Sequence, residues 1–341
     1  MSQSVQRSKD WSSWHERLHK KLKKNQNLLP HHATLLLGVS GGQDSMALLK
    51  LILDLKRIYK WKINVWHGDH GWHEKSFEFA EELQNWCVQE KINFFCSHAK
   101  KEQTATEAKA RDWRYQNLQR QADLISTNNS NSPCERVLTG HTGTDRAETF
   151  IMNLARGADL SGLSTLKEKR ILYKKINLIR PLLIFSRDET MQICKRLKLP
   201  VWLDPSNKNL NLTRNKIRHE ILPILEEIHN GSGLRIAALA ERMSQYKENQ
   251  KVLADALLSH IQRKTDHCLD RAEIVKLSPS ARRTIIATWL LKTGISKLNS
   301  LQLEEISHKL SKEQPPGSSD LPGGYRVKWN QDVIELSSNN Y

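Results

Sequence analysis

The stretch Leu35-Leu36-Leu37-Gly38-Val39-Ser40-Gly41-Gly42-Gln43-Asp44-Ser45-Met46-Ala47-Leu48 decides the fold. It begins as an apolar run of strand length and ends in a helical apolar pattern over Ser45–Lys56, with two adjacent glycines between. A strand apolar on both faces belongs in a buried parallel sheet. Gly41 and Gly42 let the backbone turn tightly and approach a ligand with no Cβ in the way. The helix that follows offers unpaired N–H groups and a positive dipole end, which suits phosphate. Ser40 and Ser45 add hydroxyl donors, and Asp44, which alone would repel phosphate, points to a bridging Mg2+. Two glycines by themselves fit an ordinary strand-to-helix turn. The full Ser-Gly-Gly-Gln-Asp-Ser pattern in this setting favours a nucleotide site. Neither GxxxxGK[ST] nor GxGxxG is present, which excludes a Walker A loop and disfavours a nicotinamide cofactor.

Outward from this stretch, short apolar segments alternate with helical patterns. Strands are expected at Leu35–Val39, Ile63–His67, Ile92–Ser97 and Val137–Gly140, with a fifth candidate at Val201–Leu203. Helices are expected at Ser45–Lys56, Ser76–Glu90, Thr106–Leu124 and Asp145–Leu154. The alternation predicts an α/β fold, a doubly wound, mostly parallel five-stranded sheet. Ligands of such sheets bind beyond the carboxyl ends of the strands, so the loops after Val39, His67, Ser97 and Gly140 are the candidate site. An amphipathic opening helix carries Trp11, Trp14, Leu18 and Leu22. Ser186 with Glu189 forms a capping box, and Asn215–Glu227 reads as a helix kinked at Pro223.

Asn230–Gly233 (NGSG) is the linker candidate, dividing the chain into 1–229 and a smaller, mainly helical 230–341. The second part ends in Leu321–Gly324 (LPGG), followed by a small hairpin of Tyr325–Trp329 and Val333–Leu336. The chain of 341 residues carries 53 Lys and Arg against 37 Asp and Glu, a net charge of +16. About +12 of this lies in the first part. A charge of that size favours a polyanionic partner, although a basic surface also serves solubility. No apolar run reaches membrane-spanning length and the first residues lack an apolar signal core, so a cytoplasmic protein is expected. The five cysteines, Cys87, Cys96, Cys134, Cys194 and Cys268, include no CxxC pair, which argues against a disulfide framework or a zinc ribbon.

The Ser40–Ser45 motif resembles the PP-loop of the N-type ATP pyrophosphatases, which cleave ATP to AMP and pyrophosphate while adenylating a carbonyl oxygen. Further segments follow: His67-Gly68-Asp69-His70, then Glu107 to Tyr115, Leu138-Thr139-Gly140-His141, Asp145 with Glu148, Arg180-Pro181-Leu182, Asp204-Pro205-Ser206-Asn207 and Arg214 to Arg218. In this order they resemble the tRNA(Ile)-lysidine synthetase family over about residues 28–225, and the C-terminal part more loosely resembles that family's tRNA-binding region. The resemblance implies a ligase using ATP and Mg2+, with free L-lysine and the CAU-anticodon isoleucine tRNA as the other substrates. It implies adenylation of O2 of the wobble cytidine and attack on C2 by the lysine ε-amine. By the same resemblance Ser40, Gly41, Gly42, Gln43, Asp44 and Ser45 bind ATP, with Asp44 also the candidate Mg2+ ligand. Asp44, Arg114, His141 and Asp145 form the catalytic set, and Asp145, Glu148 and Arg214 bind lysine. Simple complementarity to a helix N-terminus is the competing explanation of Asp145 and Glu148. The chain departs from the family at Thr144, where an aspartate is usual, and at His73, where arginine is usual. A PP-loop tRNA thiolase is the nearest alternative, and the lack of a CxxC pair argues against it. A homodimer is left open.

Overall fold

The computed structural model describes residues 11–71, 76–202, 210–263, 265, 267–295, 298–310 and 314–338. His73, Leu203 and Asp204–Asn207 lie outside them. Contacts divide the chain into two compact units, 1–244 and 245–341.

In chain order, the first unit holds α1 (Ser13–Lys24), β1 (Thr34–Gly38), α2 (Gln43–Tyr59), β2 (Lys62–Asp69), α3 (Ser76–Gln89), β3 (Asn93–His98) and α4 (Glu107–Asn128). There follow β4 (Arg136–Thr139), α5 (Gly143–Ala155), α6 (Leu160–Leu163), β5 (Lys169–Tyr173), β6 (Ile176–Ile179) and α7 (Arg187–Arg196). The sheet has six strands in the order β3-β2-β1-β4-β6-β5. All neighbours pair in parallel except β5, which runs antiparallel on the edge beside β6. The order reverses between β1 and β4, the switch point at which such sheets bind ligands.

Successive residues of β1 serve opposite faces, as pleating requires. Leu35 and Leu37 join the core formed with Leu48, Leu51 and Leu55 of α2. Leu36 joins Trp66, Val137 and Leu178 under Trp113, Leu118 and Ala122 of α4. Both faces are thus covered, which is why β1 reads as unbroken apolar sequence.

The strand count corrects the expected five. Val201 and Trp202 form no strand: they pack against the α2-side core, and Trp202 N donates to Gly41 O. The additional members are β5 and β6. Ile171 and Tyr173 of β5 are exposed, the mark of a sheet edge rather than a buried strand.

After α7 comes a continuous helical stretch: α8 (Thr213–Lys216), a π turn (Ile217–Ile221) and α9 (Leu222–Ile228). Pro223 has no N–H to give and its ring crowds the preceding turn. The strain is absorbed as a widened turn instead of a sharp break. α10 (Ser232–Ile261) is next, so the NGSG segment caps the start of a long helix and the division between units falls later, inside α10. Within the first unit, Ile236, Ala240 and Met243 of α10 pack with Phe150 of α5 and Leu163.

The second unit contains β7 (Cys268–Asp270), α11 (Arg271–Lys276), α12 (Pro279–Lys292), α13 (Ser300–Lys309), β8 (Gly317–Leu321), β9 (Tyr325–Trp329) and β10 (Val333–Ser338). The expected hairpin is β9 with β10, and it belongs to an antiparallel four-stranded sheet in the order β7-β10-β9-β8. Trp289, Leu269 and Ile334 are fully buried in its core. Among the described residues, no helix is long and apolar enough to cross a membrane.

Candidate active site

The site is assembled at the carboxyl ends of β1 and β4, from the turn into α2 and the turn into α5. Gly41 adopts φ +85°, a left-handed conformation that disfavours any side chain, and an added Cβ would collide with the Trp202 ring. Ser45 Oγ donates to Gly42 O at 2.8 Å and accepts from Ser40 N at 3.2 Å, closing the loop on itself. At the end of β4, a Cβ on Gly140 would lie 2.9 Å from backbone atoms of Asp44 and Ser45. Glycine there lets the two turns touch.

Asp44 stands in the first turn of α2 and is held by α7. Arg187 Nη1 donates to Asp44 Oδ2 at 2.6 Å, and Thr190 Oγ1 donates to Oδ1 at 2.5 Å. Gln43 spends its side-chain amide on Arg187 O at 2.7 Å and on Thr190, so its side chain anchors the loop to α7. Cys194 Sγ adds a bond to Gln43 O. Burial raises the Asp44 carboxyl; Arg187 opposes this, the Asp145 carboxylate reinforces it, and the balance lies at about 6. The β1–α2 turn and the α5 turn therefore share one electrostatic site.

In the α5 turn, Thr142 caps the helix and donates through N and Oγ1 to Asp145 Oδ2 at 2.7 and 2.9 Å. Arg214 Nη2 donates to Asp145 Oδ1 at 2.8 Å and Arg214 Nε to Glu148 Oε2 at 2.7 Å. Arg218 Nε donates to Glu148 Oε1 at 2.6 Å, and its Nη2 to Oε2 at 2.9 Å. Two carboxylates and two guanidiniums thus form a closed cluster. Burial would raise Asp145, but Arg214 foremost, with the Thr142 N–H and Arg218, holds it below the usual carboxylate range.

This corrects the expectation that Glu148 contacts lysine directly. Its side chain has no exposure and both oxygens are held by arginines. Glu148 positions Arg214 and Arg218, whereas the Asp145 side chain retains 11% exposure. The helix-terminus explanation holds for one oxygen of Asp145, which completes the capping box of α5, but not for Glu148, both of whose oxygens go to guanidiniums.

His141 accepts from or donates to Thr139 Oγ1 at 2.9 Å through Nδ1, and its Nε2 has no hydrogen-bond partner among the described residues. Burial lowers it to about 3, with Asp145 opposing and Arg180, Arg214 and Arg111 adding to the effect. The ring is neutral at physiological pH. Arg114 Nη2 approaches His70 Nε2 at 3.5 Å, and burial lowers its guanidinium. With no carboxylate paired to it among the described residues, Arg114 keeps its charge available for an anionic ligand. Thr144, at the position where the sequence departs from the family, accepts from Arg187 N at 3.0 Å. It therefore anchors the residue that grips Asp44.

The sequence reading did not single out Arg187, Thr190 or Trp202. The capping box Ser186–Glu189 signalled the helix start that carries Arg187, but nothing local marks its partner Asp44, 143 residues earlier in the chain.

An α/β fold with this loop at the switch point defines the PP-loop class, and the family described as "PP-loop domain" matches residues 14–225. A tRNA(Ile)-lysidine synthase of Prochlorococcus marinus is 53% identical over 98% of this chain and 99% of its own length. That of Parasynechococcus marenigrum is 44% identical over 96% of this chain and 95% of its own. The chain belongs to the tRNA(Ile)-lysidine synthase family. Among solved structures, a U34-tRNA thiolase from Methanococcus maripaludis aligns with a TM-score of 0.53 at 22% identity, covering 67% of this chain and 78% of that one. That likeness is one of fold.

Proposed function

We propose that the chain ligates lysine to C2 of the wobble cytidine of the CAU-anticodon isoleucine tRNA at the expense of ATP. The observation that carries this reading is the contact of the two turns at the sheet's switch point, where Gly140 lies against the backbone of Asp44 and Ser45 and is followed by His141 and Asp145. In the first step the cytidine O2 attacks the α-phosphorus of ATP and pyrophosphate leaves. In the second the lysine ε-amine attacks C2 and the C2–O bond breaks, releasing AMP.

The α2 N-terminus and the Ser40–Ser45 turn receive the ATP phosphates. Arg114 neutralises negative charge building on them, and the neutral His141 ring offers a hydrogen bond through Nε2 without repelling the arginines around it. For Mg2+, the described residues contain no group of three or more His, Cys, Asp or Glu able to hold a metal. Magnesium bound with ATP needs only one or two protein carboxylates, the remaining positions being phosphate oxygens and water. Asp44 fits that role, since repulsion by Asp145 leaves it short of positive charge even with Arg187 beside it. When bound, the ion supplies charge neutralisation on the phosphates.

Free lysine carries an α-carboxylate and an α-ammonium besides its ε-amine. Arg214 matches the first and Asp145 the second, with Glu148 and Arg218 holding Arg214 in place behind them. Binding exchanges the Arg214–Asp145 contact for contacts to the amino acid. The ε-amine must lose a proton to act as nucleophile, because its ordinary pKa is about 10.4.

Incubation with ATP, labelled lysine and a CAU-anticodon isoleucine tRNA transcript tests the reading. Labelled lysidine in the nucleoside digest, with AMP and pyrophosphate in equal amount, is expected. AMP release without lysine incorporation would overturn it.

A further inference from the structure

Tyr115 of α4 gathers arginines that the reaction steps above do not use. The Arg111 guanidinium lies 5.2 Å from its ring centroid and that of Arg170, on β5, 4.8 Å. Burial alone would raise the Tyr115 phenol, but Arg111, Arg180 and Arg170 outweigh it and hold it below its ordinary range. Arg180 is almost fully buried; its Nη1 donates to Lys167 O at 2.6 Å, and its Nε is buried without a hydrogen-bond partner among the described residues. None of these three arginines is paired with a carboxylate among the described residues. Glu107, the nearest acidic influence on neighbouring Arg114, forms no ion pair with it. Like charges gathered around a half-buried ring, without counter-charges, are costly unless an anion joins them.

The location selects the anion. β5 is the edge of the sheet, three strands from the β1 loop. At ~4.8 Å per strand that is about 14 Å from the ATP loop, beyond the span of its phosphates. Arg111 and Lys169 are exposed beside it, while Arg111 and Arg180 also act electrostatically on His141 in the active site. A strand leaving the site over this edge would meet basic groups alternating with an aromatic ring, the surface that single-stranded nucleic acid prefers.

We propose that Arg111, Tyr115 and Arg170 form a seat for a phosphodiester of the RNA strand that flanks the nucleotide being modified. The proposal rests on the tRNA reading above. The test compares wild type with the double variant Arg111→Gln/Arg170→Gln, measuring tRNA affinity across a salt series together with the ATP KM. The double variant should lose about tenfold in tRNA affinity, and its log–log salt slope should be shallower by about 1, as expected when one or two single-strand phosphates go unneutralised. The ATP KM should not move. Arg111 is exposed, so Arg111→Gln alone carries the test if the double variant melts early, with a loss of about threefold. Wild-type tRNA affinity and slope in the variants would overturn the seat, as would an effect confined to the ATP KM, which would assign the arginines to the nucleotide. A wild-type chain that neither binds tRNA nor forms lysidine would overturn the functional reading itself.

Discussion

Arg187 and Asp44, 143 residues apart, meet at 2.6 Å through Nη1 and Oδ2, so the glycine-rich turn between β1 and α2 is held by the first turn of a helix on a distant part of the chain. Arg187 is one of the groups that restrain the Asp44 carboxyl from rising further.

Removing that charge should move a pH limb. Since kcat/KM for ATP reports groups of the free enzyme, it should fall in wild type as pH drops through about 6, where Asp44 takes up a proton. In Arg187→Gln the fall should begin about one pH unit higher, because an opposite charge at contact distance is worth at least that much. An unshifted profile would separate Arg187 from the titration.

Asp44→Asn should trade activity for stability. The folded-state value of about 6 lies above the ordinary 3.8, so the protonated form is favoured by folding. That contribution is fully present below about pH 4 and is lost as pH rises through 6. The neutral variant should therefore match wild type in acid and exceed it by up to about 3 kcal/mol at pH 7.5, while AMP formation is abolished. Melting curves at the two pH values, with an AMP assay, check both halves.

Much of this was legible in sequence, for identifiable reasons. The apolar run of β1, the glycine pair and the strand–helix alternation are local patterns, and they place Asp44, His141 and Asp145 at one edge of the sheet. β5 escaped notice because an edge strand carries exposed, mixed residues such as Lys169, Ile171 and Tyr173, and β6, though buried, is a run of only four residues, Ile176–Ile179. Val201 and Trp202 look like a strand, yet their apolar surface is buried against the core without ladder bonds. The spacing of Asp145 with Glu148, and of Arg214 with Arg218, was visible, but that the two pairs face each other depends on packing between helices far apart in sequence.

Asp145→Asn and Glu148→Gln should behave differently. Loss of the accessible charge at Asp145 should raise the lysine KM about ten- to a hundredfold with little change for ATP. Glu148→Gln removes the buried carboxylate that Arg214 and Arg218 share, leaving Asp145 as their one remaining carboxylate partner among the described residues, and should cost about 3 kcal/mol of stability. Equal melting temperatures for the two variants would contradict the division of roles.

Truncation locates the working boundary. A chain ending at residue 230 loses Ile236, Ala240 and Met243 from the α5 packing and the Arg146–Glu241 ion pair. A chain ending at 244 keeps them. The shorter chain should melt at least about 5 °C lower, as follows from removing several buried side chains from a unit of this size. Similar melting points would place the boundary nearer the NGSG segment.

The π turn at Ile217–Ile221 makes the length of this helix as important as its residues. A π turn spends one residue more than an α-helix over the same rise. Removing that residue would restore regular α geometry with the flanking turns still in phase, whereas inserting a further one would swing everything before it by about 100° around the axis. Arg214 would be carried away from Asp145 and Glu148, while Leu222, beyond the turn, kept its buried place. Point substitutions along the exposed side of this stretch should be tolerated in natural variation, whereas insertions between Arg214 and Leu222 should be selected against, since they would break the register between the arginines and their carboxylates without altering either.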